Sequence, residues 1–189
     1  MSTPTITREP APVAAAPERV AANRPRRLSP RARKLALTAH IVTSVGWLGI
    51  VVAMLVLGVT AATAADPAVI RAGFTLMDLF GSRIFPPAAL ASLATGIILS
   101  LGTKWGLLRY RWVVVKLVLT FAVIATGTQL TGRLLDQATT ASAAGVRSVP
   151  GGVAAALIAG SVMHLLLLGA ATAISVYKPW GRTRRGSPL

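Results

Sequence analysis

Three ionisable side chains, His40, Lys116 and His164, stand in stretches of this 189-residue chain that are otherwise uncharged. Such a group inside a bilayer is expensive to keep, so each invites a functional reading. Imidazole nitrogens ligate haem iron without help from cysteine, and a lysine ammonium holds a carboxylate as a point charge. The remaining chemistry is narrow. The chain has no cysteine, which removes disulfides, thiolate nucleophiles and cysteine-ligated zinc or iron–sulfur centres. Beyond the first 34 residues the only acids are Asp66, Asp78 and Asp136, none within a secure apolar run. A carboxylate relay through the apolar runs is therefore absent. No GxSxG, HExxH, P-loop or GxGxxG pattern occurs, and two histidines with no carboxylate nearby do not make a hydrolytic metal site.

The elements that hold these groups follow from hydropathy. The chain is 53% hydrophobic and only 13% charged, with a mean hydropathy of +0.65. Leu35 to Ala65 is free of charge for 31 residues, Ile84 to Thr103 for 20, and Ser148 to Tyr177 for 30. Trp112 to Gly132 holds only Lys116 in 21 residues. Crossing a hydrocarbon core about 30 Å thick takes ~20 apolar residues as a helix. Lipid supplies no partner for backbone N–H and C=O groups, so the spans are helices; their length and lack of alternation exclude a barrel. The expected fold is all-α, a four-helix transmembrane bundle over residues 35–178. Ala72–Arg83 either extends the second helix or lies at the interface.

Counting along the helices places the ionisable groups in depth. Lys116 is five residues from Arg111, His40 six from Lys34, and His164 fourteen from Lys178. At ~1.5 Å per residue these are depths of about 7–8, 9 and 21 Å. Two readings stand for Lys116: its stem snorkels to the headgroups, or it serves an anionic group. His40 similarly serves either as a structural imidazole bonded to a threonine or carbonyl, or as a ligand. His164, near mid-membrane, has the strongest claim to function. Two axial ligands of one iron sit roughly 4 Å apart, twice a ~2 Å metal–nitrogen bond. The ~12 Å difference in depth sets His40 and His164 against a shared haem. A b-type haem would use either histidine singly, with Lys116 near a propionate or substrate carboxylate.

Charge placement orients the bundle. Of 20 Lys and Arg, fifteen lie in the N-terminal segment, the connection around Lys104–Arg111 and the C-terminus. The opposite ends carry only Arg71, Arg83, Arg133 and Arg147, together with the three aspartates. The positive-inside rule puts both termini in the cytoplasm of a cell (inner) membrane protein. Trp105, Tyr110, Trp112, Tyr177 and Trp180 cluster at the same side, as an interfacial anchor belt would. Residues 1–34 hold six prolines and eight basic residues without apolar periodicity, the composition of a disordered tail; 179–189 form a second short basic tail. An export signal has an apolar core of about 7–15 residues, half the length of the first run. The basic tail is accounted for by anionic lipid at ~1 kcal/mol per charge, so no nucleic-acid partner is expected.

Each span carries a small or polar stripe at helical spacing. These are His40, Thr43, Ser44 and Trp47; Ala88, Ser92, Gly96 and Ser100; Lys116, Thr120, Val123, Gly127 and Thr131; and Gly152, Ala156, Gly160 and His164. Small residues permit close backbone approach, which drives association in lipid. Three functions fit. The leading one is a non-enzymatic membrane component associating with itself or a membrane partner through these faces. The others are a b-type haem redox protein or oxidase, and a small-solute transporter; the last lacks broken helices in corresponding halves.

Lys34–Gly49 (KLALTAHIVTSVGWLG) resembles the first-helix motif of a family of small four-span bacterial integral membrane proteins of unknown function. Leu93–Lys116 and Ser175–Gly181 (SVYKPWG) resemble that family's second and fourth signatures, in order across residues 34–182. The resemblance implies membrane location and fold, and no agreed activity. A more distant likeness is to the copper-resistance D type and the haem-containing protoporphyrinogen oxidase type. Both place a histidine before a Trp-x-Gly element, here His40 and Trp47-Leu48-Gly49, and a basic residue early in the third helix, here Lys116. Where the oxidase type has an arginine shortly after that glycine, this chain continues Ile50-Val51-Val52.

Overall fold

The computed structural model describes residues 28–103, 105–144, 149–181 and 183. They form four helices long and apolar enough to cross a membrane: α1 (Pro30–Thr63), α2 (Pro67–Gly102), α3 (Arg111–Ala143) and α4 (Gly151–Tyr177). No strand occurs among the described residues. The protein is an all-α, multi-pass membrane bundle, with its first and last described residues at one end.

Local chemistry starts and stops the helices. The Ser29 hydroxyl accepts from the Ala32 N–H at 3.3 Å, and Pro30 follows at the first helical position. This cap begins α1 inside the segment expected to be a disordered tail, so residues 30–34 are helical; the rest of that tail, to Arg27, lies outside the described residues. Asp66 caps α2 by accepting from the Ala68 N–H at 2.8 Å, again ahead of a proline. A side-chain acceptor satisfies an orphan N–H, and proline's fixed φ suits the first turn.

Two helices overshoot their expected spans. α2 begins at Pro67 rather than Ile84, and α3 runs to Ala143 rather than Gly132. With 36 and 33 residues they are about 54 and 50 Å long at ~1.5 Å per residue, well beyond a ~30 Å hydrocarbon core. The extra turns are amphipathic. Ile70, Phe74 and Met77 share one buried cluster with Leu135 and Ala138, while Arg71, Arg133 and Asp136 stay exposed. Segment 72–83 thus extends α2. Pro86 and Pro87 do not break the helix, because a π turn over Phe80–Ile84 absorbs the misfit. Each proline removes one intrahelical N–H, and a wider turn accommodates the loss. Beside it, α3 has its own π turn over Thr126–Thr131, where the Thr126 and Thr128 hydroxyls donate to carbonyls four residues back at 2.7 and 2.8 Å.

The helices form a ring in which α1 packs on α2 and α4, and α4 on α3. α2 and α3 join mainly through their distal turns; Phe85–Gly102 and Arg111–Ala125 hardly touch. Trp47, Val51, Met54, Phe85, Val123 and Leu157 fill the core. Leu35, Val45, Val118, Phe121 and Leu166 point outward, as lipid-facing residues do. The expected stripes are largely consumed inside one chain. Ser92 is buried and meets Ser44 at 2.8 Å (Oγ–Oγ), and Thr131 is buried. Gly127 receives the Phe85 ring so closely that a Cβ there would lie 2.5 Å from Phe85 Cζ. On α4 the inward face is Ala154, Leu157, Ser161, His164 and Ala171, whereas Gly152 is exposed.

Candidate functional site

His40 sits where α1 and α2 come close, above Gly96: a Cβ on that glycine would lie 3.1 Å from His40 Cε1. Its Nδ1 is 3.1 Å from the Ser92 carbonyl oxygen and 3.0 Å from Thr95 Oγ1. A carbonyl only accepts, so Nδ1 carries the hydrogen and donates. Nε2 is therefore the acceptor, and it faces Lys116 Nζ of α3 at 3.4 Å. Lys116 also donates to Ser175 Oγ of α4 at 2.8 Å. One polar chain thus ties α2, α1, α3 and α4 together. Thr95 and Thr43, 3.3 Å apart, send their hydroxyl hydrogens to Ala91 and Ala39 carbonyls at 2.8 and 2.9 Å, leaving Thr95 Oγ1 to accept from His40. Lys116 turns inward between the helices, where two acceptors meet its ammonium.

These residues line a partly open cavity of about 700 Å³, with residues of all four helices in its wall. That is within the range of small-molecule sites, about 300–1,000 Å³. Its walls are mainly apolar, with Leu93, Ile97, Leu117 and Leu168 among them, and hydroxyls from Ser44, Thr120 and Ser175 interrupt the hydrocarbon. Leu37, Ile41 and Val45 line it too and are exposed, so the cavity opens to the surface along α1. Trp47 borders it as well, 2% exposed, and its indole Nε1 has no hydrogen-bond partner among the described residues.

The end of the cavity near the termini is basic and aromatic. Arg33 and Lys178 line it, with Lys178 Nζ 5.8 and 6.0 Å from the Trp105 and Trp112 ring centroids. Trp105 and Trp112 meet edge to face at 5.3 Å, and Trp112 is buried. Of the expected belt, Tyr177 and Trp180 are exposed, while these two tryptophans pack within the protein. A left-handed Lys178 (φ 47°) ends α4, and the following strand of chain returns along the α2–α3 connection: Arg111 N–H donates to Gly181 O at 3.3 Å and Thr183 N–H to Arg109 O at 2.9 Å. Part of the expected C-terminal tail is thereby docked. Among the described residues no carboxylate lines the cavity; Asp66, Asp78 and Asp136 belong to the opposite end.

His164 belongs elsewhere. It is buried on α4, its Nε2 lies 2.8 Å from Thr126 Oγ1, and its ring is 6.1 Å from the Phe85 ring. Since Thr126 donates its own hydrogen to Ala122 O at 2.7 Å, its oxygen accepts from His164 Nε2–H. His40 meets α2 at Ser92 and His164 meets it at Phe85, seven residues away, or about 10 Å at ~1.5 Å per residue. The structure brings His40 and Lys116 together and keeps His164 apart, so the histidines do not form an axial pair for one iron. No group of three or more metal-ligating side chains occurs among the described residues. No protein-family model, no curated protein and no solved structure matches the chain.

Sequence reasoning missed Ser175, Arg33 and Lys178 as parts of the site, and found Gly96 only as a helix-packing residue. Ser175 had a signal, standing eleven residues after His164, three helical turns along the same face. The others depend on how far the helices splay, which periodicity does not encode.

Proposed function

We propose that this protein is a non-enzymatic component of the cell membrane, both termini cytoplasmic, that holds a membrane-derived small molecule between its helices. The observation carrying this reading is the four-helix cavity, polar along one network, apolar elsewhere, and continuous with the lipid-facing side of α1. The small residues expected to mediate self-association support ligand holding instead, since Ser92, Gly96 and Gly127 are occupied within the chain. The orientation follows from the crowding of arginine and lysine at the terminal end. Native mass spectrometry of the protein released from mild detergent tests the reading. A non-covalent adduct is expected on the wild type and is expected to vanish in Ser100→Phe, which fills the cavity wall. Bare protein in both would overturn it.

A second reading is a b-type haem on His40 alone. It is supported by the Nδ1–H bond to the Ser92 carbonyl, the outer contact that typically orients a ligating imidazole. A visible Soret band abolished by His40→Ala and retained in His164→Ala is the expected signature. A colourless preparation from haem-supplemented cells would dismiss it.

A further inference from the structure

Granted that the cavity takes a ligand from the bilayer, its charge decides which kind. Among the described residues, Lys116 is the one cation within the wall's polar network; Arg33 and Lys178 stand nearer the terminal end. No acidic side chain among the described residues lines the space. An ammonium has three N–H donors, and those of Lys116 meet His40 Nε2 at 3.4 Å and Ser175 Oγ at 2.8 Å. One donor remains for an incoming acceptor. Both protein partners are neutral acceptors, so they satisfy hydrogen bonds without balancing charge. An uncompensated cation in low dielectric favours a ligand that brings the missing negative charge.

We propose that the cavity binds a long-chain carboxylic acid, with its carboxylate on Lys116 Nζ and its alkyl chain along the apolar wall. A single carboxylate balances the single ammonium of the polar network, whereas a phosphate monoester carries up to two charges at neutral pH and would draw on Arg33 and Lys178 at the terminal end as well. The chain has a matching surface in Leu93, Ile97, Leu117 and Leu168. It also has a way in, because Leu37 and Ile41 line the cavity while lying exposed on α1. His40, pinned by Ser92 and Thr95, holds Lys116 toward the centre of the space and acts as a positioning residue.

The test is equilibrium binding to the full chain in phosphatidylcholine nanodiscs, using oleic acid, oleyl alcohol and oleoyl lysophosphatidic acid to displace a fluorescent fatty acid. The acid is expected to bind about ten- to a hundredfold more tightly than the alcohol, as a charge-assisted hydrogen bond implies. Lys116→Met is expected to bring that ratio to about one while leaving alcohol binding in place, which also reports an intact fold; Lys116→Arg is expected to keep the preference. Equal binding of acid and alcohol by the wild type, with both lost in Ser100→Phe, would overturn the carboxylate assignment and leave the cavity reading standing. A lysophosphatidic acid that outcompetes oleic acid would also overturn it, in favour of a phosphate head. Failure of all three to bind would sink both readings together.

Discussion

Gly127→Ala is expected to destabilise the bundle, although alanine is ordinarily the better helix former. Its new Cβ would lie 2.5 Å from Phe85 Cζ and 2.7 Å from Cε1, about 1 Å inside the contact of packed carbons at ~3.5 Å. The ring has nowhere to go. Phe85 is 2% exposed and held between Trp47, edge to face at 5.6 Å, and His164 at 6.1 Å. Overpacking of this kind costs about 1–3 kcal/mol. Against it stands the intrinsic gain of glycine to alanine in a helix, up to about 1 kcal/mol. Gly132→Ala, five residues along α3, isolates that gain because its Cβ would meet nothing within 4 Å. The difference between the two variants is therefore expected to be about 1–3 kcal/mol, with Gly132→Ala the more stable. Reversible unfolding in mixed micelles, followed by circular dichroism, measures it. Equal stabilities would refute the packing argument, as would failure of Phe85→Leu to rescue Gly127→Ala.

Thr126→Val leaves buried His164 Nε2 without its 2.8 Å partner and is expected to cost about 1–3 kcal/mol; Thr126→Val with His164→Phe is expected to recover much of it in the same unfolding assay. Ser29→Ala removes the α1 cap and is expected to weaken the helix start by about 0.5–2 kcal/mol, read as faster amide exchange over residues 31–33 with the membrane interior unchanged. Because the chain has no cysteine, single introduced thiols report orientation cleanly. Thr140→Cys, on the exposed face of the α3 extension, is expected to react with an impermeant maleimide in intact cells, and Ser187→Cys only after lysis; the reverse pattern would invert the topology.

Much of the architecture was legible before any coordinates, since crossing a bilayer is a property of runs. Four apolar stretches gave four helices, and the stripe Lys116, Thr120, Val123, Gly127 and Thr131 turned inward as its spacing implied. Charge ended these readings too soon on the distal side: Arg83 and Arg133 looked like span boundaries, yet the helices continue past them as an amphipathic pair. A helix does not stop where lipid stops, provided that its apolar face finds a partner.

Hydropathy and side-chain type alone determined that the chain forms four helices long and apolar enough to cross a membrane, that it segregates aspartates from most of its arginines, and that His40, Lys116 and His164 stand in its apolar runs. Those properties are local. Whether an imidazole faces a lysine 76 positions away, or a threonine, depends on the rotation and spacing of whole helices. Those follow from how Gly96, Gly127 and Phe85 allow the helices to approach. Only the tertiary structure decided that His40 and Lys116 share one cavity while His164 belongs to another polar contact.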